Sequence, residues 1–107
     1  MVEGADPATL ALLAAVRARF AESLPAKAGD LAALVEREVW DEARRAAHKL
    51  RGSSGTYGYL ALSAAAADVE DSLLESKEPP SEEVRRRVAA RTKDVLVEAE
   101  RAAREGK

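Results

Sequence analysis

The amino-acid sequence predicts an all-α protein, an antiparallel four-helix bundle, on three observations. First, Ala, Leu, Glu, Arg and Val dominate a chain of 107 residues that is 34% charged and only 4% aromatic. That composition favours helices packed through small residues, because Ala loses no side-chain entropy and lets helices approach closely. Second, apolar residues recur three and four apart in separate stretches, the spacing that lays one face of a helix on a core. Third, the joins between the stretches are short, and short joins make consecutive helices antiparallel neighbours. The length suits one domain with a real but modest core. Residues 1–107 are therefore read as a single domain whose flexible tail, residues 1–6, ends in a capping residue.

Asp6-Pro7 opens the first helix, with Asp as N-cap and Pro at the first helical position. Its apolar stripe is Leu10, Leu13, Val16, Phe20 and Leu24, resumed by Leu31, Leu34 and Val35. Pro25 and Gly29 interrupt this stretch, and a proline in a helix interior kinks or breaks it. The apolar phase nevertheless continues through Leu24, Ala28, Leu31 and Val35, which predicts one bent helix rather than two.

Trp40-Asp41 begins a second helix, with Ala43, Ala47 and Leu50 on one side, ending in the Ser/Gly-rich stretch before Gly58. A third helix is expected from about Leu60 to Glu75, with Leu62, Ala65, Ala66, Val69 and Leu73 facing inwards and Leu74 as a further candidate. Lys77-Glu78-Pro79-Pro80 is a clear break. Ser81 then caps a last helix, and Glu82 and Glu83 complement its dipole in the first turn. The stripe of that helix is Val84, Val88, Val95, Leu96, Ala99 and Ala103, and its mixed charges read as an ordinary solvated face.

Composition also narrows the function. A net charge of -2, with no isolated basic block, gives no bias towards nucleic acid. The absence of cysteine removes disulfides, thiolate metal sites and cysteine nucleophiles, and a single histidine removes His-rich metal sites. No cofactor and no metal are expected. The longest uncharged run, Gly52 to Ala67, is Gly- and Ser-rich and shorter than the ~20 apolar residues of a membrane span. No signal peptide is evident, so a cytoplasmic domain without membrane attachment is expected. A monomer is the simplest reading.

The most informative segment is His48-Lys49-Leu50-Arg51-Gly52-Ser53-Ser54-Gly55-Thr56-Tyr57-Gly58. It continues the helical stretch that precedes it, so His48, Arg51 and Gly52, three and four apart, share a face. Glycine inside a helix costs about 1 kcal/mol relative to alanine. In a chain so rich in alanine, that cost points to access: something large approaches His48 closely. The spaced glycines are not a phosphate loop, since neither the Lys-Ser/Thr pair nor a preceding strand is present.

These residues carry a family resemblance. The segment from Trp40 to Leu73 resembles the histidine-containing phosphotransfer (HPt) domains of two-component signalling. The family run of His-x-Leu-Lys-Gly-Ser-Ser/Ala stands here as His48, Leu50, Arg51, Gly52, Ser53 and Ser54, followed by Gly58 and then Val69-Glu70. Trp40 and Ala47 match frequent features ahead of the histidine. Gly55-Thr56-Tyr57-Gly58-Tyr59 and Glu70 are similar to the first domain of chemotaxis-type histidine kinases. Two positions depart from the pattern: Arg51 replaces a lysine, and Val39 stands where an Asp-like cap is common.

The chemistry agrees with the resemblance. A phosphocarrier needs an exposed nucleophile that is neutral near pH 7 and can leave again, and imidazole, with an ordinary pKa of about 6.5, meets those conditions. One ring nitrogen, Nε2 in the family, attacks the phosphorus of an aspartyl phosphate. The other needs an acceptor, and Glu70 on the neighbouring antiparallel helix is the best candidate. Arg51, and more loosely Lys49, would offset the phosphoryl charge. Gly52 would keep one side of His48 open. The acidic groups and Mg²⁺ of phosphoryl-transfer chemistry are missing, so a receiver domain or a histidine kinase would supply them. The expected activity is that of a phosphocarrier, without autonomous kinase activity. Two other readings stand beside it: a helical scaffold module that carries no phosphate, and a phosphoacceptor domain excised from a larger chemotaxis-type kinase. Ser53, Ser54 and Trp40 are read as packing or helix-end residues.

Overall fold

A computed structural model describes residues 6–105; of the tail expected over residues 1–6, residues 1–5 lie outside them and Asp6 is the N-cap of the first helix. Four helices follow in order: α1 (Pro7–Glu36), α2 (Trp40–Thr56), α3 (Leu60–Glu75) and α4 (Glu82–Glu105). Each packs on the next, and α4 returns to α1, so the four close a ring around one core. The boundaries agree with the sequence expectations, including passage of α1 through Pro25 as one helix. Asp6 accepts the backbone N–H of Thr9 at 2.7 Å, as an N-cap should, and that bond holds its carboxyl below the ordinary range. Ser81 Oγ accepts the N–H of Val84 at 3.2 Å at the start of α4.

The first two joints are one device built twice. After α2, Tyr59 N–H bonds Ser54 C=O and Gly58 N–H bonds Gly55 C=O; after α1, Val39 bonds Leu34 and Glu38 bonds Val35 in the same pattern. Both are Schellman turns, which satisfy the last carbonyls and need a left-handed residue at the reversal. Gly58 provides it at φ 84°, whereas Glu38 adopts φ 59° with a side chain, and its carboxylate meets Arg85 of α4 at 3.2 Å. The α3–α4 break contains a cis Glu78–Pro79 bond.

The core is narrow and rich in alanine. Ala21, Leu24, Ala28, Leu31 and Val35 of α1 meet Ala43, Ala47 and Leu50 of α2, Leu62, Ala66 and Val69 of α3, and Val88, Val95 and Ala99 of α4. Three stripe expectations need correction. Leu10, Leu13 and Val16 do not reach the core: they are 42%, 51% and 42% exposed. The reason is length. α1 has 30 residues against 17 in α2 and 16 in α3, so it outruns the joint between them. At that joint Phe20 stacks on Tyr57, with ring centroids 4.2 Å apart, and Arg17 Nε donates to the Tyr57 carbonyl at 3.2 Å. Pro7 to Val16 extend beyond it.

Leu74 is exposed on the outer side of α3. On α4 the seam runs Val88, Thr92, Val95, Ala99, Ala102, alternating steps of four and three, so Ala102 is buried and Ala103 only half-buried. That alternation is the 3.5-residue repeat of a bundle seam, which an unbroken step of four leaves within a few turns. Thr92 occupies the gap in the expected stripe, its hydroxyl donating to the Val88 carbonyl at 2.7 Å.

Candidate functional site

With Ala43, Ala47 and Leu50 turned inwards, α2 must present the residues between them to solvent or to α3. His48 stands out from the bundle, its side chain 70% exposed, while Glu70 of α3 is nearly enclosed at 6%. His48 Nδ1 lies 2.6 Å from Glu70 Oε2. Arg51, one turn further along α2, donates from Nη1 to Glu70 Oε1 at 3.1 Å and reaches Asp71 Oδ1 at 3.4 Å. Both carboxylate oxygens of Glu70 are therefore engaged, one by the imidazole and one by the guanidinium.

This arrangement selects between the two tautomers of a neutral imidazole. An ionised carboxylate only accepts hydrogen bonds. With Arg51 donating to its other oxygen, Glu70 is suited to that role, and a neutral ring beside it carries its proton on Nδ1 and its lone pair on Nε2. Second-layer carboxylates of this kind set both tautomer and ring orientation. Of the Arg51 nitrogens only Nη1 is engaged; Nε and Nη2 have no partner among the described residues.

The local backbone is equally specific. A Cβ added at Gly52 would meet nothing within 4 Å, so no contact inside the protein requires glycine there. At Gly55 an added Cβ would lie 3.4 Å from Ser63 Oγ, and that hydroxyl donates to the Arg51 carbonyl at 2.8 Å, tying α3 to the turn of α2 that carries the site. Lys49 lies on the other flank, lining a groove between α1 and α2 with Lys27, Asp30, Ala46, Leu50 and Ser53. Ser53 Oγ bonds back to the Lys49 carbonyl, Ser54 is buried and Trp40 packs on the core, as small-residue and packing roles require. Val39 makes no side-chain cap; Asp41 and Glu42 in the first turn of α2 complement its dipole instead.

Four of the expected site residues thus converge: His48, Arg51 and Glu70 by direct contact and Gly52 on the same face. Lys49 is adjacent but outside the hydrogen-bonded group. Asp71, Ser63 and Lys27 did not stand out in the sequence. Their relevance depends on which turn of α3 or α1 abuts α2, and no local pattern encodes that.

A family model, that of the Hpt domain, matches residues 15–103, nearly the whole chain. The chain belongs to the Hpt domain family. No individual curated protein and no solved structure matches it. The four-helix bundle is that of the Hpt family, and membership implies histidine phosphotransfer in phosphorelays, with kinases and receiver domains as the classes of partner. Among the described residues no helix is long and apolar enough to cross a membrane.

Proposed function

We propose that this Hpt domain carries a phosphoryl group on His48 Nε2 and exchanges it with an aspartate of a receiver domain. The observation that carries the reading is the 2.6 Å contact between Nδ1 of the exposed His48 side chain and the enclosed carboxylate of Glu70, which occupies Nδ1 and leaves Nε2 as the nitrogen without a partner among the described residues. In the forward step the Nε2 lone pair attacks phosphorus in line, the P–O bond to the partner's aspartate breaks, and that carboxylate leaves with the electron pair. The Nδ1 proton stays in place, and the positive charge gained by the ring is balanced by Glu70. The reverse step returns the phosphoryl group to an aspartate.

Arg51 has a double duty here. Nη1 holds Glu70 in position, and Nε and Nη2 can meet phosphoryl oxygens. Lys49 adds a looser positive charge. Gly52 leaves room for the partner's active-site loop, consistent with the open space around it. Because these residues include no acidic cluster suited to Mg²⁺, the partner brings the metal and its ligands.

The alternative of a non-phosphorylated scaffold calls for a histidine that is buried or tied up by a salt bridge; the Glu70 contact is such a pairing, but it takes Nδ1 alone. His48 is exposed and bonded through one nitrogen only, which favours the carrier. The deciding experiment is intact-mass measurement after incubation with phosphoramidate or a phosphorylated receiver domain. Wild type should gain one acid-labile phosphoryl group and His48→Gln none. A folded wild-type protein that takes up nothing from any donor would establish the scaffold reading instead.

A further inference from the structure

Helix α1 carries nine consecutive uncharged residues, Ala8 to Val16, and every one is exposed. Leu10, Leu12, Leu13 and Val16 are 42% to 64% exposed and account for most of the large apolar side chains left open among the described residues. At 100° per residue these four span an arc of roughly 160°, and the opposite face is Ala8, Ala11 and Ala15. A helix with apolar residues on every face, and Thr9 as the one polar side chain among them, belongs in a packed environment, yet this one projects past the Arg17–Tyr57 clamp where the bundle ends. The Hpt family match begins at residue 15, so most of the projection lies outside the matched part.

We propose that this projection is a self-association surface: two copies pair their Pro7–Val16 stretches antiparallel about a two-fold axis. With Leu13 facing its own equivalent across the axis, Leu10 falls opposite Val16, and both ends of the seam match in size. The same register brings the acidic Asp6 of one copy to the region of Arg17 and Arg19 of the other. Arg19 is exposed and makes no ion pair among the described residues, so it is available to Asp6. Leu60, 72% exposed at the start of α3 and lining one depression with Arg17, extends the apolar surface onto the end of the bundle.

Size sets the strength. Two three-turn stretches with their flanks bury about 1,000 Å² in total, the lower limit for a specific contact, so the dimer is weak and reversible. A membrane surface is a poorer occupant, because an interfacial helix needs a cationic face. Here the face opposite the leucines is alanine, and the Arg17 guanidinium already sits 4.4 Å over the Tyr59 ring. A monomer is the simplest reading of the sequence because no second long apolar stripe is obvious in it; the stripe through Leu10, Leu13 and Val16 is itself exposed. Lys49, next to His48, lies level with Lys27 and Asp30 of α1, well along that helix from Val16, and His48 itself faces Glu70 of α3, so pairing leaves both phosphoacceptor faces open.

Sedimentation velocity between about 5 µM and 1 mM tests the inference independently of any phosphoryl chemistry. The weight-average mass should climb from 11.4 kDa towards twice that value. Leu13→Glu places two like charges on the axis and should hold the protein at monomer mass with unchanged helicity and unchanged phosphoryl uptake. In the cysteine-free chain, Leu13→Cys should oxidise to a disulfide-linked dimer at least tenfold faster than Leu74→Cys on the outer side of α3. A monomer at every concentration overturns the proposal, and so does a dimer that survives Leu13→Glu. Binding of the monomer to anionic vesicles, lost in Leu13→Glu, would overturn it in favour of a lipid surface.

Discussion

Ala43, Ala47 and Leu50 on one face of α2 are shut away from solvent, whereas His48, Lys49, Arg51 and Gly52, interleaved with them, stand in it. The two faces obey different physics. On the inner face volume decides, since a packed interior responds to each methylene gained or lost. On the outer face the helix is indifferent to shape, and charge, tautomer and clearance decide. Glu70 is the one residue that belongs to both: it is buried like a core residue, yet each of its oxygens faces the site. The division teaches that stability and phosphoryl transfer in this domain can be altered separately, except where Glu70 couples them.

The division would break most visibly if an inner-face change damaged the chemistry. Leu50→Ala empties a site that is 4% exposed and should destabilise the domain by about 2–5 kcal/mol in urea titration. Phosphoryl uptake per folded molecule should stay within twofold of wild type; a tenfold loss in the folded fraction would show that the faces are coupled through α2 itself. Glu70→Gln comes next. It keeps the size of the side chain but removes the charge that fixes the proton on Nδ1 and pairs with Arg51. Uptake from phosphoramidate should fall on the order of 10–100-fold, with a smaller change in melting temperature than Leu50→Ala produces.

The smallest effect has the opposite sign. Gly52→Ala should stabilise the domain by about 1 kcal/mol, because alanine is the better helix former and its methyl meets no neighbour. A drop in melting temperature would mean that the helix itself requires glycine there. Gly52→Gln sharpens the point: it should slow transfer from a phosphorylated receiver domain while leaving uptake from phosphoramidate, a small donor, within twofold.

The four helices were legible because each is written in local chemistry. Asp6-Pro7 and Ser81 with two glutamates mark starts, Pro79-Pro80 marks a stop, and apolar spacing marks the inward faces. The pairing of His48 with Glu70 could be anticipated because a short Tyr57-Gly58-Tyr59 joint makes α2 and α3 antiparallel neighbours. The sequence did not show where the bundle stops relative to α1. Leu10 and Leu24 look alike in the apolar pattern, but only the second has other helices beside it. Nor did it show that Arg51 would hold Glu70 together with Asp71, or that Ser63 would bond the Arg51 carbonyl.

By itself, then, the amino-acid order determined helix number, helix limits, the exposed histidine and the neighbour that could hold it, since these depend on periodicities and on residues a few turns apart. Only the tertiary structure decided how far each stripe is used and that Arg51 shares the Glu70 carboxylate with His48. Those outcomes depend on the relative lengths and axial offsets of packed helices, which arise from all four elements at once.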